Sequence, residues 1–255
     1  MDDNKTSVSK KQIVEILGVK IDIIDMYRAV EQVCSFVQSG TAHIIVTADA
    51  YNIVTCKNDP EFKKIVNNAD LVTADGAGIL KGSKILGCPI PYKVSGIDLL
   101  EEICKTASKE GFGVYLLGAA PTIAEKAAEK LKEKYPGLII SGVRDGYFTE
   151  TDEEKIVNEI KSSGAKVLFV GMGIPKQEKW ISKHLDNLGV SVAMGVGGSF
   201  DVISGNIQRA PKWMQKHGLE WLYRIIKDPK KIYKVSVLPK FVMMVYKEKL
   251  FGKKG

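Results

Sequence analysis

The chain has 255 residues, with 37 Lys and Arg against 30 Asp and Glu, a formal net charge of +7, and 45% hydrophobic and 26% charged residues. That balance belongs to a globular protein and excludes a disordered or fibrous one, and the length allows one large domain or two small ones with a sizeable core. The surplus charge is uneven: residues 209–255 hold 13 basic and three acidic side chains, whereas residues 1–208 carry a net −3.

Residues 1–10 read as a disordered leader; the polar start MDDNKTSVSKK has no apolar core of a signal peptide. Two alternating segments, Ile13–Leu17 and Val19–Ile23, flank Gly18 and predict a hairpin or bent strand. Met26, Val30, Val33, Phe36 and Val37 have helical spacing. Short apolar runs bounded by turn residues then follow at 43–47, 70–73, 113–117, 138–142, 166–171 and 190–196. Helical patterns separate several of them: 121–135, 151–162 with Thr151 and Glu154 as a capping box, and 175–188 with Pro175 at the first helical position. Strands alternating with helices predict an α/β fold with a Rossmann-like, mostly parallel sheet covered on both faces. That core spans 11–208. From 209 to 255 the alternation stops, and tryptophans and tyrosines sit among lysines; this reads as a basic, amphipathic helical appendage broken near Pro229 and Pro239. Its longest apolar run, Phe241–Tyr246, is far short of the ~18–20 residues of a membrane span.

In open α/β sheets ligands bind at the carboxyl ends of strands. Four segments leave predicted strands there with small or polar residues: Thr47–Asn52, Ala74–Gly78, Gly171–Gln177 and Gly195–Asp201. Glycines let backbone N–H groups approach a ligand, and a following helix N-terminus favours anions. None of the four is a dinucleotide fingerprint or a P-loop, and taken singly each suits a purely structural turn as well. Asp75 fits a general base or an N-cap. Thr47 has the same placement, with a hydroxyl-capped turn as its alternative, and Gln177 and Glu178 suit ordinary first-turn caps. His43, His184 and His217 have no metal-ligand or triad spacing. The four cysteines contain no C-x-x-C pair, so neither zinc nor a redox dithiol is signalled, and a reduced cytosolic chain is the better reading. G-x-S-x-G is absent. The apolar content of the tail, from Val235 to Phe251, favours a membrane or a partner subunit over nucleic acid.

Three motifs in order, Ala69–Gly76 with Gly78, Gly173–Trp180, and the run from Gly195 through Arg209–Met214 to Arg224, resemble the WecG/TagA/CpsF glycosyltransferase family over about Gly18–Lys234. Within it the chain is most similar to members of wall teichoic acid linkage-unit synthesis. The resemblance implies an inverting transfer of N-acetylmannosamine from UDP to undecaprenyl-diphosphate-linked N-acetylglucosamine, forming a β-1,4 linkage. The implied setting is the inner face of the cytoplasmic membrane, with the protein peripheral on anionic lipid. It implies Asp75 as base, Thr47 and Gln177 as active-site residues, and Arg224 at the leaving diphosphate. Substrate contacts are implied at Asn52, Gly76, Gly173, Lys176, Gly195, Gly197, Gly198, Phe200, Asp201 and Arg209. Lys231 and Lys234 stand where relatives often carry Arg and would meet diphosphate or membrane; Asp49 stands where many members carry Asn. No cofactor is implied and, with no D-x-D motif, no metal. The alternatives are another donor (UDP-N-acetylmannosaminuronic acid or UDP-glucose) and, in a different class, a nucleotide- or nucleic-acid-binding module. A second copy of the chain is the expected partner for the apolar tail when no membrane is present.

Overall fold

The structure, a computed structural model, describes residues 12–227 and 237–252, with the side chains of Arg224 and Ile225 excepted. The expected leader, Pro229, Lys231 and Lys234 lie outside the described residues.

The chain opens with a hairpin, β1 (Ile13–Ile16) and β2 (Val19–Asp22). Leu17 and Gly18 both have positive φ, the requirement of a two-residue type I′ turn. The buried Asp22 carboxylate accepts the Val72 N–H at 2.8 Å and ties the hairpin to the main sheet. Helix α1 (Met26–Gln38) follows, capped by Asp25. Then come β3 (His43–Ala48), α2 (Ala50–Asn58), α3 (Pro60–Asn68), β4 (Leu71–Ala74), α4 (Gly76–Leu86), α5 (Gly96–Glu110), β5 (Val114–Gly118) and α6 (Ile123–Lys134). The second half runs β6 (Ile140–Arg144), α7 (Glu153–Ser162), β7 (Val167–Gly171), α8 (Lys176–His184), β8 (Val192–Gly195) and α9 (Ser199–Ile203).

Strands β3 to β8 form one six-stranded parallel sheet in the order β4-β3-β8-β7-β5-β6. Side chains alternate across it. Ile44, Val46, Leu117, Leu168, Val170 and Ala193 enter one apolar layer with α2, α3, α4, α7 and α8. Ile45, Leu116, Val167, Phe169, Val192 and Met194 enter the other with α1, α5, α6 and α9. A strand buried on both faces must be apolar at nearly every position, which is why the expected runs became strands with ends displaced by only one or two residues.

Two local expectations are corrected. The capping box before α7 is Thr149 with Asp152, not Thr151 with Glu154: a 3-10 turn over Glu150–Asp152 precedes the helix, so the chain uses the earlier of two overlapping T-x-x-acid patterns. Pro175 is the N-cap of α8 and follows a cis peptide bond, and the first helical residue is Lys176.

Beyond residue 208 lie α10 (Lys212–Lys216), α11 (Glu220–Lys227) and a C-terminal helix, Val237–Phe251. Pro239 does not break that helix. It occupies the first turn, where the backbone N–H has no intrahelical acceptor in any case. The helix packs on α2 and α4 and buries Phe241 and Val245 in the same apolar layer as the sheet. Gly82 of α4 permits the approach, since a Cβ there would lie 2.8 Å from the Phe241 ring.

Candidate active site

The four segments singled out at strand ends follow β3, β4, β7 and β8, which are four consecutive strands of the sheet. All run parallel, so their C-terminal loops lie side by side along one edge. The order of strands thus brings together candidate site residues spread between positions 47 and 201.

Asp75 stands at the N-cap of α4 in extended conformation, but its side chain makes no capping bond. Its backbone N–H donates to Ala48 O at 2.8 Å, prolonging the ladder beyond β4. Its Oδ2 accepts the N–H of Gly96, the first residue of α5, at 3.0 Å. The carboxylate therefore serves the neighbouring helix, where an anion at the N-terminus is favourable, and the capping alternative is set aside. Gly76, at φ +84, turns the chain away beneath it. Thr47 is half-buried at the end of β3, and a Cβ on Gly96 would lie 2.9 Å from its hydroxyl. Gly96 is thus what lets Thr47, Asp75 and the start of α5 converge. The loop before it is fastened to β4: Val94 N–H donates to Ala74 O at 2.9 Å, and the buried Thr73 hydroxyl donates to Val94 O at 3.1 Å.

At the β7 and β8 end of this edge, Gln177 is buried and clamps two turns. Its Oε1 accepts from Gly173 N–H and Gly197 N–H, each at 3.0 Å, and its Nε2 donates to Glu178 Oε1 at 2.7 Å. Two donors on one side and a carboxylate on the other fix the orientation of the amide. The glycines fall into two kinds. Gly173, at φ +80, and Gly197, at φ +52, have open space beside them. Gly195 has none: a Cβ there would overlap Gln177 and come within 2.8 Å of Glu178. Gly171 likewise abuts Phe200 and Gly197.

Several residues expected to contact substrate are engaged within the fold itself. Phe200 is fully buried against Gly171. Asn52 is fully buried and forms a reciprocal capping box with Asp49, the two backbone-to-side-chain bonds being 2.9 and 3.2 Å. Asp49 thus acts as the cap that Asn would otherwise supply. Lys176 lies 5.5 Å from the centroid of Phe148. Asp201 accepts from Asn206 Nδ2 at 3.1 Å, and Gly198 is exposed at the N-cap of α9. Arg209 forms a two-pronged ion pair with Asp98, at 2.6 and 2.9 Å. Burial works against the charge on Asp98, but the hydrogen bonds from Arg209 and Ser95 outweigh it and hold the carboxyl below its usual range. Arg224 lies on α11.

Sequence reasoning missed the loop Lys93–Gly96, although Ser95-Gly96-Ile97-Asp98 is itself an S-x-x-D helix-start pattern. It also missed the turn after β5, where Ala119 and Thr122 take positive φ without being glycine, a departure that clusters at functional sites. The histidines serve as structural ties. His43, at the opposite end of β3, bonds Ser39 and Thr41 at 2.9 Å each and faces Asp70 at 3.1 Å, His184 bonds Glu153 at 3.0 Å, and His217 bonds Trp213 O at 2.7 Å. Burial pushes the Cys56 thiol up to about 12 and Cys104 higher still, which leaves neither as a thiolate nucleophile. Among the described residues no group of three or more His, Cys, Asp or Glu could hold a metal ion. No helix among them is long and apolar enough to cross a membrane.

The chain matches the model of the glycosyl transferase WecG/TagA/CpsF family over residues 14–255. It is 35% identical over 244 residues to proteins of Staphylococcus aureus strains MW2, NCTC 8325 / PS 47 and MRSA252, covering 95% of each chain. Each of these is named N-acetylglucosaminyldiphosphoundecaprenol N-acetyl-beta-D-mannosaminyltransferase.

Proposed function

We propose that this chain, which belongs to the WecG/TagA/CpsF family of glycosyl transferases, moves N-acetylmannosamine from UDP to undecaprenyl-diphosphate-linked N-acetylglucosamine with inversion, giving a β-1,4 linkage. The relatives' printed name supports this donor sugar and acceptor. The observation that carries the mechanism is the Asp75 carboxylate, which sits at a strand end beside Thr47 and is turned away from its own helix.

Asp75 takes the proton of the acceptor hydroxyl as its oxygen attacks the anomeric carbon from the face opposite the diphosphate. One C–O bond forms, the bond to UDP breaks, and Asp75 returns the proton to solvent. A single carboxylate suffices, because an inverting transfer has no covalent intermediate. Thr47, beside Asp75, orients the acceptor. The Gly195–Asp201 turn and the Gly173 turn bracket the nucleotide. The amides of Gly173 and Gly197 already donate to Gln177, so the departing charge needs other donors, and Arg224 of α11 is the cation assigned to it. Exposed Trp213, Trp221, Met243, Leu250 and Phe251, interleaved with lysines, supply a surface for anionic lipid on the inner membrane face.

The test is a transfer assay with a lipid-diphosphate N-acetylglucosamine acceptor and three donors: UDP-N-acetylmannosamine, UDP-N-acetylmannosaminuronic acid and UDP-glucose. The first should turn over. Asp75→Asn keeps an acceptor for Gly96 and should lower kcat by roughly 10²–10⁴ while still binding UDP. Normal turnover in that variant would remove Asp75 from the mechanism, and preference for another donor would change the sugar.

A further inference from the structure

Four charged side chains outside the reaction chemistry join the tail to the loop that holds the base. Arg209 forks onto both carboxylate oxygens of Asp98 at 2.6 and 2.9 Å. Its Nη2 also lies 3.8 Å from Glu220 Oε1, and Lys93 Nζ lies 3.4 Å from Glu220 Oε2. Glu220 is the first residue of α11, the helix that carries Arg224. Asp98 and Lys93 flank Ser95 and Gly96, and Ser95 donates to Asp98 while Gly96 donates to Asp75. The partners are 111 and 127 residues apart in sequence.

We propose that Asp98, Arg209, Lys93 and Glu220 form an ion-pair latch that holds helix α11 against the Lys93–Gly96 loop, and that Arg209 is a positioning residue rather than a contact to the diphosphate. The inference rests on the reading above, in which Asp75 and Arg224 act on one substrate. A guanidinium offers donors in a rigid fork that matches a carboxylate, and here both terminal nitrogens are committed to Asp98. That fork uses two of the five guanidinium N–H donors, and a phosphate approaching the rest would meet the negative charge of the same carboxylate. Glu220 presents a negative charge on the same side, which disfavours a second anion there. Surface ion pairs are individually weak, but this one spans two segments whose relative placement sets the distance from Arg224 to Asp75. A misplacement of about 1 Å at reacting groups can cost 10²-fold in rate.

The experiment uses the full chain and two reciprocal charge swaps, Asp98→Arg with Arg209→Asp and Lys93→Glu with Glu220→Lys, each beside its single variants. Turnover is measured with UDP-N-acetylmannosamine and the lipid-diphosphate acceptor, and amide hydrogen exchange is followed over 220–227. Arg209→Asp should lower kcat roughly tenfold or more with little change in donor KM, and should speed exchange in 220–227. The paired swap should recover most of both losses. A folded swap variant as inactive as Arg209→Asp would overturn the latch, as would an Arg209→Asp defect confined to donor KM with exchange unchanged. Thermal melts identify any variant that fails to fold; the more peripheral Lys93 and Glu220 swap then decides by the same criteria. If the wild type proves to use another donor, only the sugar assignment fails, because the exchange measurement needs no substrate.

Discussion

Gln177 shows how one amide can hold two turns. Replacing it with Leu removes the acceptor for Gly173 N–H and Gly197 N–H and leaves Glu178 without that donor. A buried donor left without a partner costs about 1–3 kcal/mol. Gln177→Leu should therefore lower Tm by several degrees and raise KM for the UDP-sugar, measured by calorimetry and initial rates. Asp98 gives a pH dependence. Its carboxyl titrates below its ordinary value in the folded chain, so its contribution to stability is present above about pH 4 and is lost as pH falls through the folded value. The Tm difference between wild type and Asp98→Asn should be constant from pH 6 to 8 and should narrow below about pH 4. Sequence alone marked Asp75 and Gln177 as candidates among the residues that follow strands. It could not show whether the Asp75 side chain caps its own helix, because the group it accepts from, the Gly96 N–H, lies 21 residues away. Arg209 was legible as a conspicuous cation, but its partner was not.

At the scale of elements, short continuous apolar runs bounded by turn residues made the parallel strands readable, since a strand between two helical layers is buried at nearly every position. Helix starts were read less well wherever two signals overlapped, as at Thr149 and Thr151, or where proline fits a first turn as readily as it breaks a helix, as at Pro239. The larger surprise is the C-terminal helix. Its lysines and apolar residues suggested an appendage, yet Phe241 and Val245 are 1% and 0% exposed against α2 and α4. Phe241→Ala should cost about 3–5 kcal/mol, visible in urea melts. An unchanged melt would mean that the helix contributes nothing to the core.

For the whole molecule, the strand order was beyond sequence reasoning. Four loops separated by up to about 150 residues become neighbours only because β8 inserts between β3 and β7. Charge was readable as a split between a slightly acidic core and a basic tail, and the structure refines that split: one face of the last helix belongs to the core and the other looks outward. On the outward face Met243, Leu250 and Phe251 are 65%, 71% and 78% exposed. Leu250→Glu with Met243→Glu should weaken binding to vesicles of anionic lipid in a flotation assay while leaving Tm within a degree or two. Undiminished flotation would rule out this face as a lipid contact.

The seat of Phe241 beside Gly82 also bears on how the chain is made. Synthesis runs from the N-terminus at roughly 5–20 residues per second, so α2 and α4 emerge long before the helix that covers them. Until residues 237–251 arrive, an apolar face of the nascent protein stays uncovered. Termination before Phe241 would then release a sticky, unfinished chain prone to aggregation.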